Sequence, residues 1–220
     1  MAVNIKPSPK ACGLPELVIP QKVTKQSIYK DKRIWILNVA NFPVYVLRFM
    51  VIDWGVLMLK EYNGFSITHG ALAIIGFELA GVVGILLSGV ITDKFLKHSS
   101  QRACAIGMGG ATLSLLMFMA LKYTHPFIYI SALVLCGFFI YIPQAAGGIA
   151  VAKIGTQSDA GKAVGLHGLF GYIPTAFTST IIAFITQSYG WNASLICVVL
   201  TGFVGTILFA SLWNTKSDGY

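Results

Sequence analysis

The amino-acid sequence predicts an all-α integral membrane protein with six transmembrane helices. Composition is the first reason: 55% of the 220 residues are apolar and 11% are charged, whereas soluble domains carry about 25% charged residues. The second reason is that the apolar residues form six long runs separated by short segments. The third is that these runs lack the strict alternation of barrel strands, so helices are the remaining way to cross lipid.

The six apolar runs define the predicted helices. Each is close to the ~20 residues that a helix needs to cross the hydrocarbon core of a bilayer. Between 4 and 11 residues separate one run from the next, and connections this short make consecutive helices antiparallel neighbours. The runs cover residues 34–58, 69–91, 103–122, 127–151, 162–187 and 192–213.

The segments that flank these runs are polar. Residues 1–32 contain four prolines and lack the apolar core of a signal peptide, which is typical of an exposed linker and leaves the first helix as the insertion signal. We therefore predict a cytoplasmic linker at residues 1–32, a six-helix bundle at 33–214 and a short cytoplasmic tail at 215–220. A chain that opens with a linker also suggests that another domain precedes it.

The net charge of +8 is distributed in a way that predicts orientation in the membrane. Thirteen of the sixteen lysines and arginines lie on one side of the predicted bundle, and only Lys60 and Lys122 lie on the other. Basic loops stay in the cytoplasm, so both termini are predicted to be cytoplasmic and the protein to lie in the inner cell membrane. Because the basic residues are spread over separate short loops, no nucleic-acid partner is predicted.

Three ionisable residues lie inside predicted helices: Arg48, Asp53 and Glu78. Each costs about 2.5–3.5 kcal/mol near the bilayer centre, so such residues usually face a cavity or pair together. Arg48 and Asp53 are about 140° apart around a helix and do not share a face. Two hypotheses stay open for Arg48: an anion site, because its planar fork matches phosphate oxygens, or structural pairing with one of the acids. For the acids, a structural role as partners of other cations is favoured.

Three tyrosines add hydroxyl groups to the apolar runs. Tyr45 lies three residues before Arg48 and shares its helical face, whereas Tyr141 and Tyr172 each lie close to a proline. Buried phenols usually find a hydrogen-bond partner, and the sequence favours a main-chain carbonyl over a ligand for these two. For His167 it favours a satisfied interior histidine over a ligand-binding one.

Glycine is frequent inside the predicted helices, where small residues let helix backbones approach closely in lipid. The positions concerned are Gly76, Gly81, Gly84, Gly89, Gly165, Gly168 and Gly171. The sequence shows neither a nucleophile–base pair nor the spacing of Cys, His and acidic residues that a metal site requires. We therefore predict no catalytic residue, no cofactor and no metal.

Five stretches of the sequence form a pattern in a defined order: PSPKACGLPEL, VYVLRFMVIDWGVLMLKE, FELAGVVGILLSGVITDK, GFFIYIP and GLFGY. Together they resemble the C-terminal half of the organophosphate:phosphate antiporters of the major facilitator superfamily, across nearly the whole chain. SGVITDKFLKHSSQR is similar to the superfamily's cytoplasmic loop signature, and SPKACGLPE to the central loop between its two six-helix halves. The resemblance implies that this chain is one half of such a transporter.

The resemblance also implies a substrate site. Arg48 matches an arginine that grips the substrate phosphate together with a second arginine from the other half. Tyr45, Tyr141 and Tyr172 match tyrosines that line the same central cavity. The second half would be a separate N-terminal six-helix chain or a second copy of this one.

A transport cycle follows from the same resemblance. Asp53 and Glu78 match acids that form switching salt bridges with basic residues. Family members exchange an organic phosphate ester for inorganic phosphate by rocking two halves about a site at the bilayer midplane. The lipid bilayer, the ester and inorganic phosphate are therefore the expected partners.

Departures from the family pattern leave the substrate open. The stretch YIPTAFTST lacks the acid and the lysine that some sugar-phosphate exchangers carry there, which favours glycerol-3-phosphate over a hexose 6-phosphate. Sensor proteins that bind a phosphate ester without moving it share these motifs. An inactive fragment of a split transporter gene is a further alternative.

Overall fold

The structure, a computed structural model, describes residues 28–122, 125–155 and 159–215. Five helices make up almost all of it: α1 (Lys32–Asn63), α2 (Ile67–Lys94), α3 (Ser100–Ala120), α4 (Pro126–Ile154) and α5 (Ala160–Ser211). Within these ranges all five are long and apolar enough to cross a membrane, which confirms the all-α membrane class. Most of the predicted linker and tail falls outside the described residues.

Polar caps and glycine set the ends of the first two helices. The Asp31 carboxylate accepts a hydrogen bond of 2.8 Å from the main-chain N–H of Arg33 and forms an ion pair of 2.8 Å with its guanidinium. Burial raises the pKa of the Asp31 carboxyl, but the hydrogen bonds and charge of Arg33 outweigh burial, so the pKa is lowered overall. Gly64 ends α1 with a φ of 74°, which glycine adopts without strain, and Ser66 caps α2.

The last helix, α5, folds back on itself at Gly190. Its 52 residues would extend about 78 Å if straight, far beyond the ~30 Å hydrocarbon core. Gly190 has a φ of 80° and a ψ of 173°, and the hydroxyls of Thr186 and Ser194 are 2.7 Å apart across it. Eight residues of continuous helix would separate those positions by about 12 Å. Gly190 therefore separates two helical segments of α5, which correspond to the last two predicted apolar runs; the count of six transmembrane helices stays a prediction.

The reversal at Gly190 is attached to the end of α1. The indole N–H of Trp191 donates a hydrogen bond of 2.9 Å to Glu61. The Tyr62 hydroxyl donates a hydrogen bond of 2.6 Å to the side-chain oxygen of Asn192. These two contacts attach the residues that directly follow Gly190 to the end of α1.

We expect Gly190→Ala to destabilise the protein. The backbone of Gly190 lies in a region of φ and ψ that is essentially restricted to glycine, and forcing another residue into it costs about 1–3 kcal/mol. Gly165→Ala is the matched control on the same helix, because an added Cβ there meets no atom within 4 Å and alanine is the better helix former. Thermal unfolding of both purified variants in detergent measures the difference. Equal unfolding temperatures for Gly190→Ala and the wild type would contradict the strained turn.

Contacts between helix ends give the bundle two distinct ends. At one end, Arg102 Nε donates a hydrogen bond of 3.0 Å to the carbonyl of Trp213, and Lys153 Nζ donates one of 3.4 Å to the carbonyl of His98. The α2–α3 connection, the α4–α5 connection and the end of α5 therefore meet there, opposite the Gly190 turn. We call it the basic end, because it carries Lys94, Lys97, Arg102, Lys153 and Lys162.

Glycines allow α2 and α4 to touch along their backbones. A Cβ added at Gly84 would overlap the carbonyl of Phe138, and one added at Gly137 would overlap the carbonyl of Phe77. Gly81 receives the ring of Tyr141 in the same way. The prediction of close approach is thus confirmed at Gly76, Gly81, Gly84 and Gly171. It is wrong for Gly89, Gly165 and Gly168, which face away from the other described helices and leave an added Cβ without an atom within 4 Å.

Candidate functional site

Polar residues on one face of α1 form the centre of the candidate site. Asn38, Asn41, Tyr45 and Arg48 follow one another at intervals of three, four and three residues, a spacing that places side chains on one face of a helix. Asn38 and Asn41 are buried, whereas Tyr45 and Arg48 are half-buried. The stripe runs from the middle of α1 toward the basic end.

Arg48 lies over the ring of Tyr141 on α4. The guanidinium Cζ is 4.4 Å from the centroid of that ring and 5.6 Å from the centroid of the Phe49 ring. The Tyr141 hydroxyl donates a hydrogen bond to Oε2 of Glu78 on α2. That bond holds the ring in place, and the face of the ring attracts the cation. Three helices therefore position one guanidinium.

No acid in the described part of the chain neutralises Arg48. The ion pairs found there involve other cations, and the buried Nε of Arg48 has no hydrogen-bond partner. Direct pairing with Glu78 or Asp53, one of the two hypotheses from the sequence, is therefore not what the structure shows. The charge of Arg48 is therefore not balanced by an acid among the described residues, and such a charge inside an apolar span is costly.

Tyr45 and Tyr172 extend the aromatic lining toward α5. Their ring centroids are 5.7 Å apart with the rings edge to face, and Tyr45 also stacks on Phe49 at 6.0 Å. Gly171 makes room for Tyr45, since an added Cβ would lie 2.7 Å from the Cζ of that ring. Tyr172 is 65% exposed, so most of its surface is not covered by the described helices.

Asp53 and Glu78 are held by hydroxyl groups. Asp53 accepts a hydrogen bond of 2.5 Å from Ser179 on α5, and Glu78 accepts its bond from Tyr141. Neither acid pairs with a lysine or arginine among the described residues. The predicted switching salt bridges of these two acids stay a prediction.

The hydroxyl of Tyr141 corrects one expectation from the sequence. A main-chain carbonyl was the favoured partner, whereas the structure gives a carboxylate. The reason is the packing of the ring against Gly81, one turn after Glu78 on α2. That close approach brings the hydroxyl within reach of the acid.

His167 on α5 joins the two asparagines of α1 in a buried cluster. Its Nδ1 is 3.2 Å from Oδ1 of Asn38, and its carbonyl accepts a hydrogen bond of 2.9 Å from Nδ2 of Asn41. The prediction of an interior histidine is confirmed, with 5% of the residue exposed. It is not a satisfied one, because Nε2 has no hydrogen-bond partner.

Buried polar atoms without partners concentrate in this region. Nine such side-chain atoms occur among the residues that the structure describes, and six of them belong to residues on α1, α2, α4 and α5 that the contacts of Arg48, Tyr141 and His167 bring together. Leaving such an atom unpaired costs about 1–3 kcal/mol, so each marks a place where water or a ligand is expected. We call these residues the polar band: Asn38, Asn41, Arg48, Glu78, Gln144 and His167.

Two apolar grooves lie elsewhere, between α1 and the two limbs of α5, which are its helical segments before and after Gly190. Their volumes are about 420 Å³ and 180 Å³, and both are lined mainly by aliphatic and aromatic side chains, with Phe42 and Thr201 shared. Neither includes a residue of the polar band. Apolar grooves without convergent polar groups do not suit a charged substrate, so the candidate site is the band around Arg48.

A comparison with known families identifies the fold. The family model described as Major Facilitator Superfamily matches residues 34–219. The chain belongs to this superfamily. The match runs through all five helices and therefore includes every residue of the polar band.

The chain is also similar to individual superfamily members. It is 28% identical over 230 residues to the Glycerol-3-phosphate transporter of Bacillus subtilis, an alignment that covers 96% of this chain and 52% of the relative. It is 30% identical over 192 residues to the Probable hexose phosphate transport protein of Chlamydia trachomatis, which covers 87% and 42%. It is 25% identical over 216 residues to the Membrane sensor protein UhpC of Escherichia coli, which covers 98% and 48%.

These relatives all belong to the organophosphate:phosphate antiporter family, so the resemblance predicted from the sequence is confirmed. The chain spans about half the length of the curated relatives it matches. Its helices therefore correspond to part of a complete superfamily transporter.

Three residues of the polar band were missed in the sequence analysis of this superfamily member: Asn38, Asn41 and Gln144. A usable signal was present for the asparagines, because they continue the helical spacing of Tyr45 and Arg48 toward the start of α1. Gln144 lies three residues after Tyr141 and shares its face of α4. Only the packing of α4 on α1 shows that both faces meet.

Proposed function

We propose that this chain forms one half of a transporter that exchanges an organic phosphate ester for inorganic phosphate. The observation that carries the proposal is the unneutralised guanidinium of Arg48 inside a membrane span, seated on Tyr141. Arginine keeps its charge when desolvated, and its planar fork donates two parallel hydrogen bonds to phosphate oxygens. Such charge-assisted bonds gain strength where water is excluded.

A second six-helix bundle completes the site in this proposal. One guanidinium neutralises only part of a phosphate dianion, so further cationic groups are required opposite Arg48. The half-exposed face of Tyr45 and the exposed Tyr172 provide the surface on which a second half would close. The length of the chain relative to its relatives supports the same division.

Six membrane crossings and cytoplasmic termini are part of the proposal. The two limbs of α5 on either side of Gly190 would cross the membrane in opposite directions, and the basic end would face the cytoplasm. The division into a linker at 1–32, a bundle at 33–214 and a tail at 215–220 follows from this topology. Rocking of the two halves would then expose Arg48 to either side in turn.

Glycerol-3-phosphate is the substrate that we favour. The part of α5 before Gly190 carries uncharged residues around Tyr172. In addition, a relative whose alignment covers 96% of this chain is named for this ester. A hexose phosphate is the alternative, since another relative is named for that substrate. The substrates differ in their hydroxyl groups and share the phosphate that Arg48 would bind.

Phosphate binding followed by counterflow tests the proposed function. Labelled inorganic phosphate should bind saturably to this chain assembled with the six-helix half that completes the site, and glycerol-3-phosphate should displace it. Proteoliposomes loaded with inorganic phosphate should then take up labelled glycerol-3-phosphate faster than empty ones. Absence of saturable phosphate binding would overturn the proposal.

A sensor role is the second candidate, because a relative named as a membrane sensor aligns with 98% of the chain. A sensor would bind the phosphate ester through the same guanidinium without moving it. Binding without counterflow in the assay above would therefore favour the sensor over the transporter.

We expect Asp53→Asn to slow exchange while phosphate binding stays measurable. If this acid releases Ser179 and pairs with a cation in another conformation, loss of its charge removes one side of the switch. A tenfold lower turnover corresponds to about 1.4 kcal/mol, and rates of phosphate counterflow in proteoliposomes measure it. Ser179→Ala is the companion variant, since it removes the hydroxyl and keeps the charge. Unchanged turnover in Asp53→Asn would discard the switch.

A further inference from the structure

The two apolar grooves beside α1 adjoin each other and form one path along the bundle. They share Phe42 and Thr201, and on the second limb of α5 they extend from Leu208 to Cys197. We propose that this path binds one acyl chain of an anionic phospholipid, whose headgroup lies on basic residues at the start of α1 and α5. The inference goes beyond the transport function, because no residue of the polar band lines either groove.

The length of the path suits a single acyl chain. Residues 197 and 208 are eleven positions apart, which is about 16.5 Å along a helix. One leaflet takes up half of the ~30 Å hydrocarbon core, so a chain from that leaflet has a similar length. A helix about 10 Å across and as long as the path would occupy about 1,300 Å³. That is more than the two groove volumes of about 420 Å³ and 180 Å³ together.

The lining of the path suits hydrocarbon. Its two hydroxyl groups are used within α5, because Thr201 donates a hydrogen bond of 2.8 Å to the carbonyl of Cys197 and Thr178 donates one of 2.7 Å to the carbonyl of Pro174. None of the unpaired buried polar atoms found among the described residues belongs to the lining. An acyl chain there therefore deprives no polar group of a partner.

A partly exposed apolar stripe on α1 borders the path. Trp35, Val39 and Phe42 are 39%, 43% and 41% exposed, and their spacing of four and three residues places them on one face of the helix. This face is about 110° around α1 from the stripe that carries Tyr45 and Arg48. The path is therefore separate from the surface over the candidate site.

Trp35 connects the path to the basic end. Its ring lies edge to face against Phe170, which lines the larger groove, with centroids 5.9 Å apart. Its indole N–H donates a hydrogen bond of 2.9 Å to the carbonyl of Tyr29. Tryptophan is enriched where hydrocarbon meets the headgroup region of a membrane. Trp35 therefore marks the level at which the acyl chain would join its headgroup.

The charge beside Trp35 is positive. The start of α5 belongs to the same region, because Lys162 interacts electrostatically with Tyr29. Residues 29–33 and 159–162 carry four basic and two acidic side chains, a net charge of +2. Basic groups at this level attract anionic headgroups, whereas a zwitterionic headgroup has no net charge to balance them. The charged residues are Lys30, Lys32, Arg33 and Lys162 together with Asp31 and Asp159.

Photochemical labelling of the full chain in vesicles tests the proposal. Phosphatidylglycerol and phosphatidylcholine probes, each with a diazirine in the acyl chain, are compared at the same low fraction in phosphatidylcholine vesicles. We expect the phosphatidylglycerol probe to label Phe42 and residues 197–208 at least about fivefold more than the phosphatidylcholine probe. This is the ratio that one basic residue near an anionic headgroup produces.

Two pairs of variants connect the labelling to the headgroup site and to the path. Lys32→Gln combined with Lys162→Gln should lower phosphatidylglycerol labelling to the phosphatidylcholine level, whereas Lys60→Gln, exposed at the other end of α1, should not. Val204→Trp fills the path and should lower labelling of Phe42 at least about fivefold. Its control is Leu86→Trp on α2, since both positions are exposed, at 55% and 70%.

Each other outcome counts against the proposal. Equal labelling by the two probes on the wild type would overturn it, because the path would then contact bulk lipid without recognising a headgroup. An unchanged preference in the double lysine variant would overturn the headgroup assignment. Protein–protein adducts at Phe42 in place of lipid adducts would assign the path to a second copy of the chain. If a variant does not fold, the two probes on the wild type decide. Phosphate binding is not measured in this assay, so a failure of the proposed function would leave its result unchanged.

Discussion

Arg48→Ala is expected to abolish phosphate binding and exchange. The substitution removes two charge-assisted hydrogen bonds of about 1.5–3 kcal/mol each, which corresponds to a loss of affinity of at least about a hundredfold. It also leaves the ring of Tyr141 without its cation. Equilibrium binding of labelled phosphate to the chain assembled with its second six-helix half measures the loss.

Arg48→Lys separates charge from geometry at the same position. An ammonium keeps the positive charge but lacks the planar fork that binds two phosphate oxygens at once. We therefore expect weak binding and little exchange from this variant. Arg102→Lys is the control, because Arg102 lies at the basic end, where its Nε contacts a main-chain carbonyl, far from the polar band. Wild-type exchange by Arg48→Lys would contradict bidentate binding, and phosphate binding by Arg48→Ala would contradict the site.

Gly137→Leu is expected to prevent recovery of folded protein. Gly137 packs directly against the main-chain carbonyl of Phe77, and a Cβ added at Gly137 would already overlap that carbonyl. A backbone atom cannot move aside as a flexible side chain can, so α2 and α4 would have to separate. That separation would also break the contact between Tyr141 and Glu78 across the same pair of helices.

Gly148→Leu on the same helix is the matched control. An added Cβ at Gly148 meets no atom within 4 Å, so the same side chain should be tolerated there. Yield of monodisperse protein on size exclusion and the unfolding temperature in detergent compare the two variants. Normal folding of Gly137→Leu would show that the backbone contact between α2 and α4 is not required.

The reversal at Gly190 was only partly predictable from the pattern of apolar residues. The sequence predicts two separate runs that end and begin within a few residues of Gly190, and the structure turns there. The contacts of Trp191 with Glu61 and of Tyr62 with Asn192 were not predictable. They join residues 130 positions apart, and no local pattern encodes such a distance.

At the candidate site, too, the sequence did not predict which residue contacts Arg48. The sequence places Arg48 inside an apolar span. The free-energy cost of a charged side chain there follows from the composition of that span alone. The sequence left pairing with Glu78 or Asp53 open against an anion site. The structure instead places Tyr141 between Arg48 and Glu78, an arrangement that depends on the rotation of α4 against α1.

The sequence by itself determined the membrane class, the apolar runs, the asymmetry of basic residues and the presence of Arg48 within a span. These features are local, since the hydrocarbon thickness and the cost of each side chain act on every segment separately. Only the tertiary structure decided which faces meet: Arg48 on Tyr141, Gly137 on the backbone of α2, and Asn41 and His167 in one buried cluster. Helix rotation and contact depend on packing between segments that are distant in the chain, which composition does not record.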